Sequence, residues 1–493
     1  MRIQPGTLLR MALGVVLLAV ISHTRADPDL WGHVLFGRDI LADGRIPLTD
    51  TYSFTSDRPW INHGWLADFV IGLVFTVGGG SGLVALKVSV VLATLGLIWH
   101  ALRHQQADVA ATDLLLVLAV VGTFPQANHV RPQIFSLLAF ALMVWMLARR
   151  DASLRSLFLI PLIFAFWVNL HGGWMVGGGV LATWAVFTVP RVAPRSEKVG
   201  LFVIGGLALL ATLVNPYGWG IWQFLWTTVG FGREEITDWQ PVYRLGTPYV
   251  ALWLLLALAA GTGILRSWRS GEWEMRRFTV VAILGFASFR VSRLLAFFAI
   301  ATVLLLGREL AAAVHAWRRT PRSETRPPRR YAAMTAIGIA AALTLGGGAV
   351  AVRNVACVRM GADDPEPGVV AMVKERQLAG RLVVWFDWGE YATWYLAPDL
   401  LVSIDGRRET VFSDDVMQKH LAFYYVPSAR NQFLSDTRPD HIWLPSNLPV
   451  VPSLLADGWV PVSTGPRSVW LSRSGTRMDT APGEIGARCF PGP

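Results

Sequence analysis

Charge is scarce in this sequence. Only 16% of its 493 residues are Asp, Glu, Lys or Arg, against about a quarter in a soluble domain, and so few cannot coat a water-facing surface. Lysine is nearly missing: Lys87, Lys198, Lys374 and Lys419 are the whole complement, so the formal charge of +10 is carried by arginine. Those arginines sit largely in short loops between apolar runs, as on the cytoplasmic face of a membrane protein. They form no basic stripe of the kind that grips nucleic acid, which is not an expected partner. Cysteine is limited to Cys357 and Cys489, which excludes a zinc cluster of the usual four-ligand kind. Internal repeats are lacking, and so are low-complexity tracts beyond one basic linker.

What the chain has is apolar length. Runs such as 201–214, 251–265 and 331–352 approach or reach the span of a hydrocarbon layer. Candidate spans fall near 11–22, 82–101, 111–124, 133–148, 156–169, 174–190, 199–214, 248–265, 277–288, 292–307 and 331–352. The most basic stretch, 318–330 (RRTPRSETRPPRR), is expected in the cytoplasm. Loops 149–155, 191–198 and 266–277 then share that side with Arg2 and Arg10, which gives a cytoplasmic N-terminus and an outside C-terminus. A full crossing by 65–77 would invert every later loop. That piece is expected as a half-inserted or surface-lying helix on the outer face, broken from the next span at Gly78, Gly79 and Gly80. The first run also resembles a signal peptide, but no clean small-x-small site precedes Asp27, and retention as a first membrane helix is expected. The organisation read from this is a transmembrane domain over 1–352 with an outer loop over 23–64, then an extracytoplasmic soluble domain over 353–493. In that tail, RLVVWF, DLLVSI, HIWLP and SVWLSR read as strands, with helix-like pieces around 366–378 and 413–425. They predict an α/β or α+β domain.

The outer loop gathers Asp27, Asp29, His33, Asp50, Asn62, His63 and Asp68 in a charge-poor chain. A solvated loop would explain them, but Trp31, Phe36, Tyr52, Phe54, Trp60 and Trp65 belong in a packed or interfacial layer. A helix starting near Pro28 would put Asp29 and His33 on one face, with Asp27 as its N-cap. Asp27 then has a structural task and Asp29 does not, so Asp29 is the better candidate for chemistry. Further along, His129 and Arg131, His171 with Asn169, and Arg290 and Arg293 fall at outer ends of spans. Cations there need partners. A lipid phosphate suits arginine, and so do headgroups or pairing with Glu234, Glu235 or Asp238; His171 reads equally as a hairpin cap. The tail offers Asp387, Glu390, Asp405, Arg407, Arg408 and Glu409. Asp405-Gly406-Arg407 reads as a tight turn closed by an ion pair. Nothing there makes a phosphate loop, a nucleophile elbow or a metal-binding histidine motif.

An Asp-x-Asp at the end of the first membrane helix, a long aromatic outer loop and many spans resemble the GT-C superfamily of membrane glycosyltransferases. More narrowly, DPDLWGH, GRIPLTDTYSFT, WINHGWLAD, HVRPQIFS, WVNLHGGWMVG, NPYG, EEITDWQP, SFRVSRLLAFFAI, WGEYATWYLAP and SIDGRRE resemble a bacterial group of multi-span proteins related to them, nearly end to end. The resemblance implies an all-α polytopic membrane domain of about eleven transmembrane helices with a soluble tail, in the bacterial inner membrane. It implies a polyprenyl-phosphate-linked sugar as donor, membrane lipid as surroundings, and a saccharide or protein acceptor that the sequence does not name. Asp29, as general base, Asp27, His33 and His63 are the catalytic candidates; Asp50, His129, Arg131, His171, Arg290 and Arg293 are the substrate-binding ones. A divalent cation is compatible with the loop acids, and no clean ligand set specifies one. Two positions depart from the group: Gly32 replaces a second aromatic, and Gly64 replaces a glutamate for which Asp68 is a substitute. The rival functions are a transporter or flippase of a lipid-linked saccharide and a non-catalytic assembly protein of an envelope-polysaccharide system. A transporter would be expected to carry mid-membrane ionisable groups, whereas the acids here lie at outer ends; loss of the glutamate at Gly64 suits the assembly protein. In an oxidising compartment, Cys357 and Cys489 either close the tail on itself or stay apart.

Overall fold

The computed structural model describes residues 5–149, 154–192, 194–228, 230, 232–233, 235–319, 329–361, 364–473 and 488–492. Arg2, Arg150, Glu234 and most of the basic stretch 318–330 lie outside the described residues. The chain forms two compact units.

The first unit comprises Met1–Thr24, Val84–Trp219 and Gly232–Ala356. Each of the eleven expected spans overlaps helix, but 156–169 crosses a break at Phe158 between Leu154–Leu157 and Leu159–Leu170, and 292–307 runs over Ser292–Leu294 and Leu295–Leu305 into the start of Gly307–Arg319. Among the described residues, Trp65–His104, Val109–Ala127, Thr247–Arg269 and Ala333–Val355 are long and apolar enough to cross a membrane. A fifth span results if Ser292–Leu305 and Gly307–Arg319, bent by 73°, count as one. Leu295–Leu305 is the core of this unit. Its sequence LAFFAIATVLL is apolar all round, so it has no face to show water, and every residue of it is buried. It packs against Val109–Ala127, Gln133–Ala148 and Met275–Arg290. The bend that follows would strand helix-end carbonyls. Gln105 Nε2 donates to Leu304 O at 2.9 Å and Arg277 Nη1 to Leu305 O at 3.0 Å, which satisfies them. The first and last helices, Pro5–Ser22 and Arg329–Val355, lie against each other, tied by Asn354 Nδ2 donating to Ala19 O at 3.0 Å.

The second unit comprises Arg25–Leu83, Gly220–Phe231 and Cys357–Pro493. Its sheet has strands β1 (Gly380–Val384), β2 (Leu400–Val402), β3 (His441–Pro445), β4 (Val460–Thr464) and β5 (Ser468–Ser472) in the order β2-β1-β3-β5-β4. The pairs β2–β1 and β1–β3 are parallel, and β3–β5 and β5–β4 antiparallel. Four strands coincide with the apolar runs read from sequence. β4 was not expected because Pro461 interrupts its pattern; the proline is tolerated because β4 is an edge strand. Helices Pro367–Glu375 and Asp414–Tyr425 stand where they were expected, the latter capped by Ser413 Oγ accepting from Val416 N at 3.3 Å. Gly389–Leu396, Pro427–Thr437 and Val450–Ala456 complete the connections.

The first outer loop is laid along this sheet. Val402 N donates to Tyr52 O at 3.0 Å and Phe54 N to Val402 O at 3.1 Å, extending the free edge of β2. Asp57 N and Ile61 N then donate to Val411 O and Thr410 O at 3.2 and 3.1 Å. The helix Trp65–His104 is broken at Gly79 (φ 55°, ψ −149°), a backbone state open to glycine. The expected break within Gly78–Gly80 is therefore present, close to where the chain passes from one unit to the other at Leu83.

Cys357 and Cys489 are disulfide-bonded, with Cα atoms 5.2 Å apart. The bond closes a 132-residue separation, and its loss should cost about 2–5 kcal/mol. A Cys357→Ser variant should migrate more slowly than wild type on a non-reducing gel and identically after reduction; equal mobility without reductant would mean the bond is absent.

Candidate functional site

The helix Leu30–Asp43 organises the loop. It buries Leu30, Trp31, Val34, Phe36 and Ile40 around more than half of its circumference and lies against Gly389–Leu396. Gly44, in the left-handed region at φ 64°, ends it by donating to Ile40 O at 3.0 Å. Trp31 anchors it from inside, its Nε1 donating to Pro491 O at 2.9 Å and its ring edge-on to Tyr391 at 5.2 Å.

The start of this helix corrects the sequence expectation. It begins at Leu30 rather than Pro28, and Asp29 rather than Asp27 occupies the N-cap. Buried Asp27 instead closes a turn ahead of the helix: its Oδ1 accepts from Asp29 N at 3.0 Å and its carbonyl from Leu30 N at 2.9 Å. Such a side-chain turn uses the carboxylate before the helix can claim it. The half-buried Asp29 side chain makes no capping bond.

Asp29 Oδ1 rests against Gly406, where a Cβ would overlap it; the same Cβ would stand 3.0 Å from Glu390 Oε1. Glu390 comes from the helix Gly389–Leu396 and is buried. Its Oε2 accepts from Gly32 N at 3.0 Å, and a Cβ on Gly32 would overlap its carboxylate. The departure at position 32 thus has a physical reading: an aromatic side chain there is incompatible with Glu390 in this position. Burial, reinforced by the charges of Asp29 and Asp405, holds the Glu390 carboxyl well above its ordinary range; Arg407 opposes the shift and Asp68 adds to it.

Arg407 ties loop to tail. Its Nε and Nη2 reach Asp405 at 3.0 and 2.7 Å, and its Nη1 donates to Asp50 Oδ1 at 2.6 Å. The guanidinium lies over Phe36, Tyr52 and Trp60 at 5.1, 5.4 and 4.8 Å, a three-ring cation–π box. Burial disfavours its charge, but Asp405 and Asp50 outweigh burial and raise its pKa. Asp50 is itself fixed by accepting from Tyr52 N and Ser53 N at 2.9 and 3.2 Å. Beside this group, His33 Nδ1 meets Asp68 Oδ1 at 2.7 Å, and Asp68 Oδ2 accepts from Asn62 Nδ2 at 2.7 Å. Burial lowers the His33 pKa, yet Asp68, with Asp29 and Asp27, overrides it and leaves the imidazole more basic than usual. Asp68, the substitute proposed for the glutamate missing at Gly64, is thereby engaged by His33 and Asn62. His63 stacks on Phe224 at 5.8 Å.

The remaining candidates belong to the first unit. Arg131 Nη1 pairs with Asp238 Oδ2 at 2.7 Å, and Arg293 lies over the Trp239 ring at 5.0 Å. His171 Nδ1 accepts from Gly173 N at 3.0 Å and meets Ser136 Oγ at 2.7 Å, geometry that caps its hairpin. Arg290 ends the helix Met275–Arg290, and His129 lies between Val109–Ala127 and Gln133–Ala148. Of the residues singled out from sequence, the second unit holds Asp27, Asp29, His33, Asp50, Asn62, His63 and Asp68 from the loop together with Glu390, Asp405 and Arg407 from the tail. The Asp405–Arg407 pair was legible as a tight turn. Its link to Asp50, 357 residues away, leaves no local signal. Among the described residues, no group of three or more His, Cys, Asp or Glu side chains is placed to hold a metal ion.

The sequence matches no family model and no curated protein. Solved structures do match. The apo oligosaccharyltransferase of Archaeoglobus fulgidus superposes with a TM-score of 0.57 over 90% of this chain and 69% of its own, at 11% identity. ArnT from Cupriavidus metallidurans does so in its apo state at 0.56, over 95% of this chain and 97% of its own, at 14% identity. Its structure bound to undecaprenyl phosphate gives 0.55, over 96% and 99%, at 13% identity. The fold is GT-C-like. Identities this low carry the fold alone. Within that GT-C-like fold, the acid-rich first loop and the tail form a unit of their own.

Proposed function

We propose that this chain is a membrane glycosyltransferase that takes a sugar from a polyprenyl-phosphate donor at the outer face of the bacterial inner membrane. The observation that carries this reading is Asp29, half-buried at a helix start and resting against Gly406 beside the buried acid Glu390, in a GT-C-like fold. The ArnT structure bound to undecaprenyl phosphate supports the choice of donor. In the proposed step, Asp29 accepts the proton of the acceptor hydroxyl. The hydroxyl oxygen attacks the anomeric carbon from the face opposite the leaving group. The bond from that carbon to the phosphate oxygen breaks, and its electron pair leaves with the lipid phosphate, giving inversion. Within the first unit, Arg290 and Arg293 are the proposed contacts of a donor phosphate, with His129, Arg131 and His171 as further substrate-side candidates. No step is assigned to a cation. Asp27, Asp29, Asp50, Glu390 and Asp405 lie in the sheet-bearing unit and outside the membrane-length helices, which favours surface chemistry over a transport pathway.

The donor assignment is tested by native mass spectrometry of the purified protein with undecaprenyl phosphate. One lipid phosphate should be retained at concentrations where phosphatidylglycerol is not, and Arg290→Ala and Arg293→Ala should each weaken retention roughly tenfold, as loss of a charge-assisted phosphate contact implies. Equal retention of both lipids would contradict the donor class.

A further inference from the structure

Glu390 stands out among the buried ionisable groups because the chain makes room for it at Gly32, where a Cβ would overlap its carboxylate, and sets it against Asp29 at Gly406, where a Cβ would overlap Asp29 Oδ1 and stand 3.0 Å from Glu390 Oε1. One oxygen, Oε2, is committed to Gly32 N–H at 3.0 Å. The other, Oε1, lies on the side of Gly406 where Asp29 Oδ1 also rests. Two carboxyl groups brought this close in a buried setting cannot both ionise without cost, and the pair titrates as a unit. Every neighbouring charge is accounted for. Asp29 and His33 come from the helix Leu30–Asp43 or its cap, Asp405 and Arg407 from the turn after β2, and Asp68 from the helix Trp65–His104. Arg407 is already shared between Asp405 and Asp50, and His33 is held by Asp68, so neither cation pairs with Glu390.

We infer that Glu390 is a positioning residue for the transfer, holding its own proton beside Asp29 across Gly406 and so keeping Asp29 turned to receive the acceptor's proton. This rests on the assignment of Asp29 as base. In the competent state Glu390 is protonated and Asp29 ionised. During transfer the acceptor's proton passes to Asp29 while the attacking oxygen bonds to the anomeric carbon and the lipid phosphate departs with the electron pair. Asp29 then returns that proton to water, and Glu390 keeps its own throughout.

The pH consequence follows from the raised Glu390 pKa. In the unfolded chain a glutamate ionises near about 4.3. Between that value and the higher folded one, the native state binds more protons than the unfolded state, so stability falls as pH rises through the window. Glu390→Gln keeps the shape without the proton and should flatten that decline.

The test is infrared difference spectroscopy of the full-length protein in nanodiscs, wild type minus Glu390→Gln. At neutral pH the difference should contain a protonated carboxyl C=O band that disappears on alkaline titration. In an Asp29→Asn background the same band should titrate lower by about one pH unit or more, because a coupled negative charge has been removed. Should Glu390→Gln fail to fold, carbon-13 labelling of glutamate identifies the band in wild type, and the shift with Asp29→Asn is read there. Absence of the band at neutral pH, or a midpoint unmoved by Asp29→Asn, overturns the inference; a purely packed Glu390 would leave the midpoint fixed. Neither outcome depends on turnover, so inactivity of Asp29→Asn alone bears on the base assignment, and the band alone bears on Glu390.

Discussion

Asp29→Asn should abolish function while leaving the protein folded. The substituted side chain makes no capping bond, and a carboxylate near a helix N-terminus contributes only about 0.3–1 kcal/mol through the helix dipole. The melting temperature should therefore move little. Removal of a general base costs on the order of a hundredfold to ten-thousandfold in rate, so the variant should fail to complement a deletion strain. Asp27→Asn is the contrasting case. Asp27 is buried and its carboxylate accepts the Asp29 backbone N–H, a bond that the Asn oxygen still accepts, so Asp27→Asn should cost little, whereas Asp27→Ala should cost about 0.5–2 kcal/mol, as for a lost cap, with a smaller functional deficit. Full complementation by Asp29→Asn would remove Asp29 from the chemistry and favour an assembly role.

Arg407→Met should strongly destabilise the second unit. It removes the only cation bonded to both Asp50 and Asp405 among the described residues. Breaking a buried ion pair from one side costs about 3–5 kcal/mol, because the abandoned charges remain buried. The loop should loosen with it, since Asp50 anchors the segment that pairs with β2. Limited proteolysis should then cut between residues 44 and 60 faster than in wild type. Arg407→Lys should recover only part of the loss, since an ammonium cannot reproduce the planar fork over three rings. An unchanged melting temperature together with unchanged proteolysis would show that the pair is not what holds the loop.

Much of this architecture was readable from residue pattern, and the exceptions have physical causes. Helices at all eleven apolar runs follow from length and composition, and so do four strands with alternating or continuous apolar character. β4 escaped because Pro461 argues against a strand, and nothing local says that the strand lies at an edge. The break at Gly79 was legible from three consecutive glycines. The helix start was misplaced by two residues because Asp27 and Asp29 are both acceptable caps, and only the turn closed by Asp27 decides between them. The site was half legible. Asp29, Asp50 and His33 stood out as polar groups among aromatic rings in a charge-poor chain. Glu390 and Arg407 were visible in the tail but their link to the loop was not, since their partners Gly32 and Asp50 lie more than three hundred residues away and only the folded unit brings them together. Gly32 likewise registered as a departure from the group's pattern before the Glu390 carboxylate gave it a reason.

The central claim is that Asp29 is the base in a glycosyl transfer from a lipid phosphate. The direct measurement is the release of undecaprenyl phosphate, followed by mass spectrometry, when purified protein in nanodiscs is incubated with the lipid-linked sugar pool and the acceptor fraction of a bacterial envelope. Wild type and Asp27→Asn should release it, and Asp29→Asn should do so at about a hundredth of the rate or less. Equal release by wild type and Asp29→Asn, at matched protein and substrate, would contradict the claim.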